Sequence, residues 1–139
     1  MSTTSDVRRN TIDVVEADTA TWQPDPAGRW ATICRLDRLQ QGRGAAALLG
    51  PGQVALFRLS DPDGGADTVC VIDNIDPFSG AAVLSRGIVG DRGGEPVVVS
   101  PVYKQAFSLL TGGCVDYPEQ EVAVYQARIV DGWVQVAQP

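Results

Sequence analysis

The chain has 139 residues, 44% of them hydrophobic, a formal charge of −6 and a sequence pI of about 4.4. That is enough apolar material for one core without disulfide or metal staples. The charge has the wrong sign for nucleic acid or an anionic membrane surface, which call for clustered Lys and Arg. No apolar run approaches the ~20 residues that span a bilayer, and Met1 to Asp18 lacks the apolar stretch of ~7–15 residues that a signal peptide needs. A cytoplasmic protein is expected, and an odd set of cysteines (Cys34, Cys70, Cys114) fits a reducing compartment.

Residues 1–28 read as a flexible N-terminal tail, rich in Ser, Thr, Asp and Pro, with Thr11 to Ala17 as a short strand or a fraying helix. Residues 29–139 read as the folded domain. Trp30 to Arg35 opens it as a strand. Ala45 to Leu49 and Gln53 to Leu59 form a hairpin around Gly50-Pro51-Gly52, and Gly42-Arg43-Gly44 before them reads as a turn. The cluster from Asp61 to Gly65 turns the chain, because Pro fixes φ and Gly supplies positive φ; Asp61, Asp63 and Asp67 are expected at a solvated hairpin tip. Thr68 to Asp73 follows as a strand. Asn74 to Gly94 reads as irregular, with one helical turn over Ala81 to Ser85. Pro96 to Val99 and Ala106 to Leu110 resume strand character. The clearest signal is last: Val122 to Val130 and Trp133 to Ala137 flank Asp131-Gly132, a two-residue hairpin turn. In that register Ile129 faces Val134, Ala127 faces Val136, Arg128 faces Gln135 and Val130 faces Trp133. Many short strands between Gly- and Pro-rich turns predict an all-β sandwich or small barrel.

With 0 His, the chain has no Ser-His-Asp triad, Cys-His pair or HExxH zinc site. No Walker A motif and no GxGxxG at a helix start occur. A Cys₄ iron–sulfur cluster needs four thiolates and a Rieske centre two Cys and two His, and this chain offers neither. Cys34 and Cys70 read as core thiols, whereas Cys114, after Gly112-Gly113, is expected to be more exposed. Asp73 and Asp76 lack the further oxygen ligands of a calcium site and read as loop carboxylates that accept from backbone N–H groups.

The strings Asn74-Ile75-Asp76-Pro77-Phe78 and Val83-Leu84-Ser85-Arg86-Gly87 are specific together and weak alone; further matching stretches are Ser100-Pro101 with Lys104-Gln105, Phe107-Ser108-Leu109, and Tyr125-x-Ala127-Arg128-x-x-Asp131-Gly132. From Trp30 to Ala137 the chain resembles the small subunit of assimilatory, cytoplasmic NAD(P)H-dependent nitrite reductase. The resemblance implies a Rieske-like all-β fold with a loop-rich subdomain and no [2Fe–2S] cluster. It places Asn74, Asp76, Ser100 and Tyr103 at the vacated ligand positions, with Tyr103 expected to fill the space between their loops. It also implies no catalytic residue, no metal and no cofactor in this chain. FAD, sirohaem and an iron–sulfur cluster would reside on a large-subunit partner that reduces nitrite to ammonium. Phe78, Arg86, Tyr103 and Lys104 are the candidate interface with that partner, since aromatic and Arg side chains dominate binding hot spots; the competing reading packs Phe78 into the local core. Two other functional readings stand beside this one: a Rieske-type ferredoxin with altered ligation, and a Rieske-like adaptor of another oxidoreductase.

Overall fold

Alternation along one strand decides the architecture. In the segment Gly52–Leu59, Val54 and Leu56 point to one face, Ala55 and Phe57 to the other, and all four are buried. A strand apolar on both faces needs cover on both sides. The computed structural model, which describes residues 29–61 and 63–138 together with the pair Val14–Val15, supplies that cover. The rest of the expected tail, residues 1–13 and 16–28, lies outside the described residues.

In chain order the strands are β1 (Val14–Val15), β2 (Trp30–Arg35), β3 (Gly44–Leu49), β4 (Gly52–Leu59), β5 (Thr68–Asp73), β6 (Ile88–Arg92), β7 (Glu95–Val99), β8 (Ala106–Ser108), β9 (Val124–Tyr125), β10 (Ala127–Val130) and β11 (Trp133–Ala137). They form a central sheet ordered β1-β3-β4-β5-β9, a second sheet β10-β11-β2 and a third sheet β6-β7-β8. All pairings within these sheets are antiparallel except β1 with β3. One face of the central sheet (Ala47, Leu49, Val54, Leu56, Val71) packs on Ile33, Cys34, Val134 and Val136 of the second sheet. The opposite face (Ala55, Phe57, Ile72) packs on Val98 and Phe107 of the third sheet, with Leu84, Leu109 and Cys114 filling in. The result is a β-sandwich with a smaller, loop-rich subdomain against its other side.

The turns follow their residues. Asp131 and Gly132 take φ 52° and 82°, the paired positive values of a tight hairpin, and the expected register holds, from Ala127 with Val136 to Val130 with Trp133. Four expectations change. Ile88–Arg92 is a strand although Gly90 within it and the glycines around it read as breakers; it pairs with β7 through the two-residue turn Gly93-Gly94, φ 61° and 90°. The strand from Ala106 stops at Ser108, whose hydroxyl accepts from the Leu110 and Thr111 amides and bends the chain away from the sheet. The stretch from Val122 is not one strand: β9 pairs with the central sheet and β10 with the second, and the chain changes sheets at Gln126. The helical turn is a 3-10 turn over Leu84–Arg86.

Candidate functional site at the Asn74 and Ser100 loops

The sequence from Asn74 to Gly80 turns back on itself. Asp76 N donates to the Ala81 carbonyl (2.9 Å) and Gly80 N to the Asp76 carbonyl (2.7 Å), so a short lobe leaves the sheet and returns. Asn74, Asp76 and Ser100 are all buried, and burial of polar groups costs free energy unless each finds a partner. Asn74 Oδ1 accepts from Ser85 N (2.7 Å) and its Nδ2 donates to Gln53 Oε1 (3.1 Å). Asp76 Oδ1 accepts from Phe78 N (2.8 Å), an Asx turn, and Oδ2 accepts from the Ser100 hydroxyl (2.6 Å). Ser100 Oγ also accepts from Val102 N (3.3 Å). The Asp76–Ser100 bond joins two loops that are 24 residues apart in sequence.

The expectation of a loop carboxylate accepting from a backbone N–H therefore holds for Asp76 but not for Asp73, which ends β5 and accepts instead from the Tyr125 hydroxyl at 2.7 Å. The expectation that Tyr103 fills the space between the loops does not hold. Tyr103 is 58% exposed, and the short Asp76–Ser100 contact, not an aromatic ring, closes the loops together. Tyr103 stands outside because Lys104 takes a left-handed conformation, φ 67°, with its amide donating to the Ser100 carbonyl and its Nζ to the Pro101 carbonyl. Of the candidate interface residues, Arg86, Tyr103 and Lys104 are on the surface. Phe78 is half-buried, tilted against Phe107 (centroids 6.1 Å apart) and Tyr117 (5.5 Å), so it packs into the local core.

Two further expectations are corrected. Cys114 is 2% exposed, covered by the third sheet through a bridge with Phe107. Asp67 is no solvated tip residue: it accepts from Arg58 Nε (2.7 Å) and Gln41 Nε2 (2.8 Å), and those bonds, with the Arg58 charge, hold its carboxyl below the usual range. Arg58 also donates to the Leu36 and Leu39 carbonyls, a structural hub that the sequence alone did not reveal. Gln53 and Tyr117 also escaped notice, since no spacing links them to Asn74 or Phe78. The three thiols are free; burial pushes that of Cys34 up to about 12 and raises that of Cys70.

The donor set can be tested against an iron–sulfur cluster. Iron in a Rieske centre is held by thiolate and imidazole. Here the buried side chains are an amide, a carboxylate and a hydroxyl, and each is already hydrogen-bonded within the protein. Among the described residues no group of three or more His, Cys, Asp and Glu could hold a metal ion. These residues do not fit a [2Fe–2S] cluster.

Antiparallel sheets flanking a loop-rich tip define a class, and residues 29–137 match the Rieske-like [2Fe-2S] domain. The NADH nitrite reductase small subunit of Salmonella typhimurium is 44% identical over 108 residues, 78% of this chain and 96% of that protein. A crystal structure assigned as the NADH-dependent nitrite reductase small subunit of Mycobacterium tuberculosis superposes with a TM-score of 0.72 at 54% identity, covering 79% of this chain and 95% of that one. The NAD(P)H nitrite reductase large subunit of Klebsiella oxytoca is 44% identical over 111 residues, which are 80% of this chain but only 11% of that protein. The chain belongs to the Rieske-like domain family and, within it, to the small subunits of NAD(P)H nitrite reductase.

Proposed function

We propose that this chain is a cluster-free small subunit of a cytoplasmic NAD(P)H-dependent nitrite reductase, which docks on and supports a large subunit that carries the redox centres. The observation that carries this reading is the buried Asn74–Asp76–Ser100 set. At the positions where a Rieske relative would present thiolates and imidazoles, all three side chains are bonded within the protein. A fold maintained by such a set, with no redox-competent donors, serves through its shape. The large-subunit partner is supported by the near-complete match to small subunits and by the occurrence of a similar segment inside a large subunit.

On this reading FAD, sirohaem and iron–sulfur chemistry, the choice of NADH or NADPH and the reduction of nitrite all belong to the partner. Asn74, Asp76, Ser100 and Tyr103 stand at the former ligand positions, and Arg86, Tyr103 and Lys104 face the partner, with Phe78 supporting them from below. The test is co-expression with the cognate large subunit, followed by assay of nitrite-dependent NAD(P)H oxidation with and without this chain. Co-purification in fixed ratio and a drop in turnover when the chain is omitted are expected. A stoichiometric [2Fe–2S] absorption spectrum after anaerobic reconstitution of this chain alone would replace this reading with that of an electron carrier.

A further inference from the structure

An edge strand presents unpaired N–H and C=O groups that can pair with any extended chain, so natural sheets carry charge, irregularity or shortness at their edges. Most edges here do. β6 has Gly90, Asp91 and Arg92, β10 has Arg128, and β2 has Arg35 and a register shift against β11. β8 and β9 are only 3 and 2 residues long. β3 differs. Gly44–Leu49 is 6 residues long with no charge and no proline, and it pairs with β4 without a break from Gly44 with Phe57 to Leu49 with Gly52. Three consecutive alanines, Ala45 to Ala47, add no bulk that would hold a further strand away. Without β1 this strand would be the edge of the central sheet.

What covers β3 is Val14–Val15, β-branched residues that favour a strand, paired in parallel with Ala46 and Ala47. The cover lies outside the shared domain, since the Rieske-like match spans residues 29–137. The 108 residues matched in the Salmonella typhimurium small subunit are 96% of that protein, which leaves it no length for a counterpart of residues 1–28. We propose that the β3 edge is a strand-docking site whose occupant is this chain's own Val14–Val15 segment, and that this occupancy keeps a second copy of the chain from pairing through β3. Covalent attachment presents the segment at an effective concentration on the order of millimolar, so two residue pairs suffice against a free copy at micromolar concentration. The cover is partial: β1 spans 2 residues of a 6-residue strand, and Leu48 beyond them is 53% exposed. Two β3 strands related by a two-fold axis run antiparallel and can pair over their whole length, so the longer contact wins once the short one is removed. The inference is independent of the small-subunit reading, because it concerns a segment outside the family domain.

The test uses the full chain with Val14→Pro and Val15→Pro together. Adjacent residues of a strand point their amides to opposite sides, so the pair of prolines removes the one that faces β3 whichever it is. Amide exchange in β3 should quicken by about tenfold while β4 and β5 keep their protection. Sedimentation at ~0.1 mM, below the effective concentration of the tethered segment, should show a monomeric wild type and a dimer of the double-proline variant. Leu48→Lys in the double-proline background places a charge on the open edge and should restore the monomer without slowing β3 exchange. Thermal unfolding of each variant checks that the domain stays folded. Unchanged β3 exchange in the double-proline variant would overturn the docking site. Faster exchange in a chain that stays monomeric, or a dimer that Leu48→Lys leaves intact, would overturn the guarding role. Displacement of Val14–Val15 from β3 by added large subunit, with the β3 amides still protected, would assign the edge to that partner instead.

Discussion

Around Leu56 the central sheet meets hydrocarbon from Ile33, Val134 and Val136, whereas the tip on its other side is held by an amide, a carboxylate and a hydroxyl, those of Asn74, Asp76 and Ser100. Aliphatic packing is non-directional and contributes stability roughly in proportion to area. A buried polar set contributes little net stability but penalises any arrangement that leaves a member unpaired. The sandwich is thus the part that keeps the chain folded, and the tip is the part whose shape is specified. That division suits the proposed role of a domain that docks through its loops.

The largest effect belongs to the sandwich. Leu56→Ala, at a fully buried site, should cost about 2–5 kcal/mol by lost transfer energy plus cavity. Denaturant unfolding should show one cooperative transition at a lower midpoint. A loss well under that range would mean that the sandwich repacks and does not anchor the fold.

Asp76→Ala comes next. It strands the Ser100 hydroxyl and the Phe78 amide, at a cost of about 1–3 kcal/mol or more for a charged acceptor. The effect should be local: amide exchange should accelerate over residues 74–87 and 100–105 while β2 and β11 keep their protection. Uniform acceleration would erase the distinction between the two regions. Ser100→Ala removes the same bond from its other end, so the double variant should cost less than the two single variants added, with a coupling of about 0.5–3 kcal/mol.

A smaller effect lies on the outer face of the second sheet. Arg128 sits 4.1 Å from the Trp30 ring centroid and is exposed, so Arg128→Ala should cost about 0.5–1 kcal/mol. An unchanged midpoint would show that this contact contributes nothing to the sandwich.

The same contrast explains what the sequence disclosed. Hydrocarbon alternation is a periodic signal, so Trp30–Arg35, Thr68–Asp73 and Trp133–Ala137 were legible to the residue. Ile88–Arg92 was not, because its faces are largely exposed and Gly90 interrupts any pattern; the turn pair Gly93-Gly94 was the usable clue. At the tip, the resemblance supplied the positions of Asn74, Asp76 and Ser100, but no rule of spacing gives the bond between Asp76 and Ser100, which depends on tertiary folding. Tyr103 was misplaced for a related reason. Bulk suggests filling, yet the left-handed Lys104 accompanies a turn that leaves the ring in solvent.

The boundary between the two regions runs between Asp73 and Asn74, and Tyr125 reports on it. Its ring packs at the edge of the aliphatic core while its hydroxyl donates to Asp73 Oδ1. Burial first, then the hydrogen bond to Asp73 and its negative charge, push the phenol up to about 12 from an ordinary value of 10.0. All three causes favour the neutral phenol in the folded chain. Between pH of about 10 and about 12 the unfolded chain therefore gives up this proton while the folded chain keeps it, so this contribution is whole below that window and is lost as pH rises through it. Ultraviolet titration of the phenolates should show one of the three tyrosines ionising late. Tyr125→Phe should remove that step and flatten the fall of stability with pH in the same window. Asp73→Asn should lower the late step only part of the way, because burial is the first cause. A full return to the ordinary value in Asp73→Asn would mean that the carboxylate, and not the packing of the sandwich edge, governs the seam between the two regions.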